Sequence, residues 1–79
     1  MKAITTRFLG PTATKGSRIT ASDEDGNRAA ISWPLEAQSD LEAHRTAANT
    51  LCHKMGWPSV LIGGSIKNGY VFVFVPKDA

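Results

Sequence analysis

Along this chain of 79 residues the spacing of hydrophobic positions switches from period two to the helical period and back, and each switch marks an element. Residues 2 to 9 alternate, with Ile4, Thr6 and Phe8 on one face and Ala3, Thr5, Arg7 and Leu9 on the other. That pattern predicts a first strand, stopped by Gly10-Pro11. A loop of turn-formers, Gly10 to Gly16, leads into a second alternating run, Ser17 to Ser22. If Glu24-Asp25-Gly26 closes a three-residue hairpin with Gly26 left-handed, then Asp23 faces Asn27, Ala21 faces Ala29 and Ile19 faces Ile31. This register gathers the apolar pairs on one face and leaves Arg18, Thr20, Ser22, Arg28 and Ser32 as a polar, basic side. Trp33-Pro34 closes the third strand, because proline brings no amide hydrogen to the ladder.

The helical period then takes over. Ser39-Asp40-Leu41-Glu42 fits a capping box. Residues 41 to 55 collect Leu41, His44, Ala47, Ala48, Leu51, Cys52 and Met55 on one side, and Glu42, Thr46, Asn49, Thr50, His53 and Lys54 on the other. Gly56 suits the left-handed residue that ends a helix, Trp57 can fold back on Leu51 or Cys52, and Pro58 forbids continuation. Period two returns in Ser59 to Ile66 and in Gly69 to Val75, the latter apolar on both faces. Asn68-Gly69 predicts a two-residue hairpin with Lys67 opposite Tyr70. Ile66 with Val71, Gly64 with Val73 and Ile62 with Val75 would then share one face, and Ser65 with Phe72 and Gly63 with Phe74 the other.

The expected fold is α+β: an antiparallel sheet with one helix packed on one face, in the order β-β-β-α-β-β, within a single domain spanning residues 1–79. The uniformly aliphatic valine face is the expected seat of the helix. The alternative sets the small Ala47 and Ala48 against the phenylalanines, over Gly63 and Ser65. Strand order does not follow from the pattern.

Composition narrows the function classes. With 42% hydrophobic and 20% charged residues the chain reads as globular rather than disordered. No apolar run suits a signal peptide or the roughly 20 residues of a membrane span, so a cytoplasmic setting is expected. The net charge of +2 permits contact with nucleic acid without demanding it. The single cysteine, Cys52, cannot form an internal disulfide and is read as a small buried hydrophobe. His44 falls on the apolar stripe, where a neutral, hydrogen-bonded core histidine is the plain reading, with Asp40 one turn earlier as a candidate acceptor. Cys52 and His53 are adjacent on a helix and point about 100° apart, so they do not make a nucleophile and base. Neither metal-ligand spacing nor paired carboxylates are evident, so no cofactor, no metal and no enzymatic activity are expected.

Two stretches remain as binding candidates. Gly10 to Arg18 has the content of an anion cradle, with Lys15 and Arg18 supplying charge, but its Lys15-Gly16-Ser17 order before a strand is not a P-loop. The sheet face away from the helix would carry Tyr70, Phe72 and Phe74 beside Lys67, with Arg7, Arg18 and Arg28 from the first strands. Aromatics interleaved with cations on an open sheet can stack and neutralise single-stranded nucleic acid. A hydrophobic sheet face is as readily a homodimer or partner interface.

Lys2 to Phe8, Gly10 to Arg18, His44-Arg45-Thr46-Ala47-Ala48 and Asn68-Gly69-Tyr70-Val71-Phe72 resemble short uncharacterised proteins of proteobacterial phages and mobile elements. The layout is also similar to that of anti-CRISPR proteins, which block a host defence complex by occupying a surface. The resemblance implies a small non-enzymatic binding protein whose partner is a host protein or ribonucleoprotein complex. The alternative is a nucleic-acid-binding accessory protein using the basic and aromatic face.

Overall fold

A computed structural model describes residues 3–13, 16–58 and 60–75. Its elements run β1 (Ala3–Leu9), β2 (Arg18–Ser22), β3 (Arg28–Ser32), α1 (Asp40–Met55), β4 (Leu61–Ile66) and β5 (Gly69–Phe74). The fold is α+β, with one antiparallel five-stranded sheet ordered β3-β2-β1-β5-β4 and the helix across one face. β1 is central, pairing with β2 on one side and β5 on the other. No helix of the described residues is long and apolar enough to cross a membrane.

The β2–β3 hairpin adopts the expected register, Ile19 with Ile31 and Ala21 with Ala29, and Gly26 sits at φ 90°. The Asp23 carboxylate fixes that turn by accepting from the amides of Asp25 and Asn27 and from the Asn27 side chain, each at 2.9 Å. At the helix start Ser39 accepts from the Glu42 amide at 3.1 Å, while the Glu42 carboxylate accepts from the amide of Gln38 at 3.3 Å rather than from that of the cap. The end is a Schellman turn: Gly56 at φ 75° donates to His53 O and Trp57 donates to Cys52 O at 2.8 Å. Trp57 packs edge-on against Phe74, 6.0 Å between ring centres.

The last hairpin departs from expectation in two ways. Ile66 pairs with Gly69 and Ser65 with Tyr70, so Lys67-Asn68 form the turn and each pairing moves by two positions. An even slip leaves every residue on its predicted face. Gly69 is used inside the strand: a Cβ there would overlap the Thr6 carbonyl of β1.

The second departure concerns the helix, which covers the aromatic face and not the valine face. The interlayer core is Ile4, Thr6, Ile19, Ala21, Leu61 and Phe72 from the sheet against Ala43, His44, Ala47, Ala48, Leu51 and Cys52 from the helix. Tyr70 and Phe74 pack against it from the same face. The reason is volume. An alanine-rich helix face is nearly flat, so large rings must fill the gap, and aliphatic residues no larger than valine and isoleucine would leave voids. Gly63 completes the fit, since a Cβ there would overlap the Phe72 ring. Leu41 and Met55, expected on the buried stripe, sit at its exposed margins, and Ala43 takes a buried place instead.

Candidate functional site

With α1 lying on one face, no other element of the described residues covers the opposite face of the sheet, which is open among them. Alternation and register fix its occupants. One cross-strand row runs Arg28, Ser22, Thr5, Val71, Gly64; the next runs Ala30, Thr20, Arg7, Gly69, Ile66. Ala3, Val73 and Ile62 line up on one flank, and Leu9, Arg18 and Ser32 on the other. The face therefore has two halves. Toward β4 and β5 it is aliphatic, with Val71 and Val73 half-buried and Ile62 and Ile66 exposed to 59% and 42%. Toward β2 and β3 it is basic, with Arg7, Arg18 and Arg28 set among Thr5, Thr20, Ser22 and Ser32.

None of these arginines forms an ion pair among the described residues. Arg18 is further out of balance, because its Nε is buried with no hydrogen-bond partner. Arg7 is directly opposite Thr20 and diagonal to Arg18, so their chains leave the sheet about 7–8 Å apart, a spacing that a carboxylate pair or successive phosphates can bridge.

Of the residues expected at a binding surface, the structure brings Arg7, Arg18 and Arg28 together. Lys67 stands exposed at the β4–β5 turn beside the aliphatic half. Lys15 lies outside the described residues. Tyr70, Phe72 and Phe74 are corrected in position: they face the helix, with Phe72 fully buried and its ring under the Arg45 guanidinium at 5.4 Å. Aromatics and the three arginines thus lie on opposite sides of the sheet, and the platform that would interleave them is not formed. The arrangement is the alternative in which Ala47 and Ala48 lie against the phenylalanines, which leaves Ile62, Ile66, Val71 and Val73, aligned on one face by alternation, as the aliphatic half of the open face.

Both sheet edges are capped from the helix. In β4 the bond from Val75 N to Val60 O turns the backbone groups of Leu61, Gly63 and Ser65 outward, and Arg45 donates to Leu61 O at 2.8 Å. In β3 Lys54 donates to Arg28 O, also at 2.8 Å. A cation on each outer strand obstructs edge-to-edge pairing.

His44 is buried, 4% exposed, with Nδ1 2.7 Å from Thr6 Oγ1. Its ring rests on Tyr70 at 4.6 Å and meets Trp33 edge-on at 6.4 Å. Burial lowers its pKa, opposed in part by the Asp40 carboxylate, so the imidazole is neutral at neutral pH. Its hydrogen-bond partner is thus Thr6, not Asp40. Burial pushes the Cys52 thiol up, which keeps it protonated and unreactive. No group of three or more potential metal-ligating side chains occurs among the described residues. Comparisons with protein families, with curated proteins and with solved structures found no match.

Proposed function

We propose that this chain is a small non-enzymatic binding protein of a phage or mobile element that docks its open sheet face on a host protein or ribonucleoprotein complex in the cytoplasm, in the manner of an anti-CRISPR inhibitor. The observation that carries this reading is the uncovered face itself, half aliphatic and half arginine. Apolar surface grouped on one side of a small chain favours association, and arginines without ion pairs favour a partner with acidic groups beside an apolar patch. The experiment is affinity capture from host extract with the wild type, Ile62→Asp, Arg18→Glu and, on the outer helix surface, Thr50→Glu. One defined complex retained by the wild type and Thr50→Glu, and lost by the other two, supports the reading. Equal capture by all four, or none by any, removes it.

The arginine trio also favours a second reading, an accessory protein that contacts nucleic-acid backbone. With Phe72 in the core this binding is electrostatic and lacks base stacking. Its affinity falls steeply with salt and drops in Arg7→Ala, Arg18→Ala and Arg28→Ala alike, and salt-independent or absent binding eliminates it. Homodimerisation through the aliphatic half is compatible with either, and sedimentation at several concentrations distinguishes a dimer from a strict monomer.

A further inference from the structure

A concave feature lies on the helix side, where the end of β1, the residue before β2 and the residue after β3 meet the first turns of α1. It is an open cleft of about 510 Å³ lined by Phe8, Ser17, Trp33, Asp40 and His44. Its walls are aromatic and set at right angles: Phe8 and Trp33 meet edge to face at 5.7 Å and 84°, and Trp33 and His44 at 85°. Phe8 is 49% exposed, so its ring is accessible from solvent at the mouth of the cleft.

Among the described residues Asp40 is the one charged side chain in the lining, and it forms no ion pair with any of them. His44 is more than nine-tenths buried, its Nδ1 is engaged by Thr6, and its Nε2 makes no hydrogen bond among the described residues. Ser17 adds a hydroxyl. Aromatic faces carry the negative lobe of the ring quadrupole, and with a carboxylate beside them they attract cations and repel anions. The Ser39 hydroxyl takes up one of the free amides of the helix start, and the carboxylates of Asp40 and Glu42 in the first turn offset the positive end of the helix dipole.

The geometry points to the Phe8–Trp33–Asp40 cleft as a binding site for an organic cation of side-chain size, a guanidinium or alkylammonium group on an apolar arm. The arm lies along Phe8 and Trp33, the charge pairs with the Asp40 carboxylate, and His44 and Ser17 offer further hydrogen bonds. The cation is either a free small molecule or an arginine or lysine side chain of a bound protein. The site lies on the opposite side of the sheet from the open face and does not depend on the function proposed for that face.

The test follows Trp33 by NMR while N-acetyl-arginine amide, N-acetyl-lysine amide and the neutral N-acetyl-norleucine amide are titrated, with Trp57 as the internal control. The expected result is a saturable shift of the Trp33 indole signals by the cationic amides, with a dissociation constant of about 1 mM, and none by the neutral one. Asp40→Asn and Phe8→Leu, both at exposed positions, are expected to weaken binding by about tenfold, which is the scale of one ion pair or one cation–π contact in a partly desolvated site. A short arginine-containing peptide run in parallel separates the two sources: tighter binding than the amide assigns the site to a protein side chain, and equal binding to a free cation. Absence of saturation with both amides and peptide, equal response to the neutral amide, or unchanged affinity in Asp40→Asn would overturn the assignment.

Discussion

Replacing Thr6 by valine tests the buried polar pair on which the interlayer packing turns. Thr6 is fully buried, and its hydroxyl lies 2.7 Å from His44 Nδ1, with a longer contact of 3.4 Å to the Tyr70 carbonyl. Valine keeps the shape and removes the oxygen. A buried nitrogen left without its partner costs about 1–3 kcal/mol, and the added methyl returns about 0.8 kcal/mol of apolar burial, so the net loss is about 0.2–2.2 kcal/mol. For a domain of this size each kcal/mol corresponds to roughly 4–8 °C in melting temperature. Urea and thermal unfolding near neutral pH measure it. The decisive comparison adds His44→Leu: with both polar groups gone nothing is left unsatisfied, so the double variant is expected to be more stable than the sum of the singles by at least about 1 kcal/mol. Strict additivity, or a Thr6→Val variant at least as stable as the wild type, would refute the pairing.

The remaining predictions concern the two sheet faces and pH. Gly63→Ala is expected to cost about 1–3 kcal/mol because its Cβ meets the Phe72 ring, whereas Gly64→Ala, with open space on the other face, stays within about 0.5 kcal/mol; urea unfolding distinguishes them. Phe72→Ala, emptying the centre of the core, is expected to lose about 3–5 kcal/mol and with it the folded near-UV signal, while Ile62→Ser shifts stability by no more than about 0.5 kcal/mol. Because the folded state lowers the His44 pKa below its ordinary value of 6.5, the unfolded chain takes up a proton first on acidification. Stability is therefore full above that value and declines as pH falls through it, and the decline is absent in His44→Leu; unfolding curves across that range report both.

How far the sequence could be read depended on how local each signal was. The β2–β3 turn was legible because Asp23, Gly26 and Asn27 close it among themselves, and the helix ends were legible because Ser39 and Gly56 act within one turn of chain. Gly69 misled for a physical reason. A glycine after asparagine has the same local form whether it supplies a turn or lets a neighbouring strand approach, and the Thr6 carbonyl that requires it is 63 positions away. The choice of helix face failed in a related way: hydropathy favoured the valines, but the deciding quantity was volume, set by Ala43, Ala47 and Ala48 against Phe72 and Gly63 across the layers. The arginine half of the open face was readable from alternation alone, since Arg7, Arg18 and Arg28 keep their phase in strands whose registers were fixed by the hairpin or by apolar spacing. The cleft at Trp33 was not, because it is assembled from the ends of separate elements.

The central claim, that the open sheet face is the surface by which this protein binds, is tested most directly by site-specific photo-crosslinking in host cells. A benzophenone side chain is placed at Ile62 on that face or at Thr46 on the outer helix surface, and adducts to the captured complex are resolved by mass. The prediction is efficient adduct formation from position 62 and none from position 46. Adducts from position 46 alone, or from neither, would contradict it.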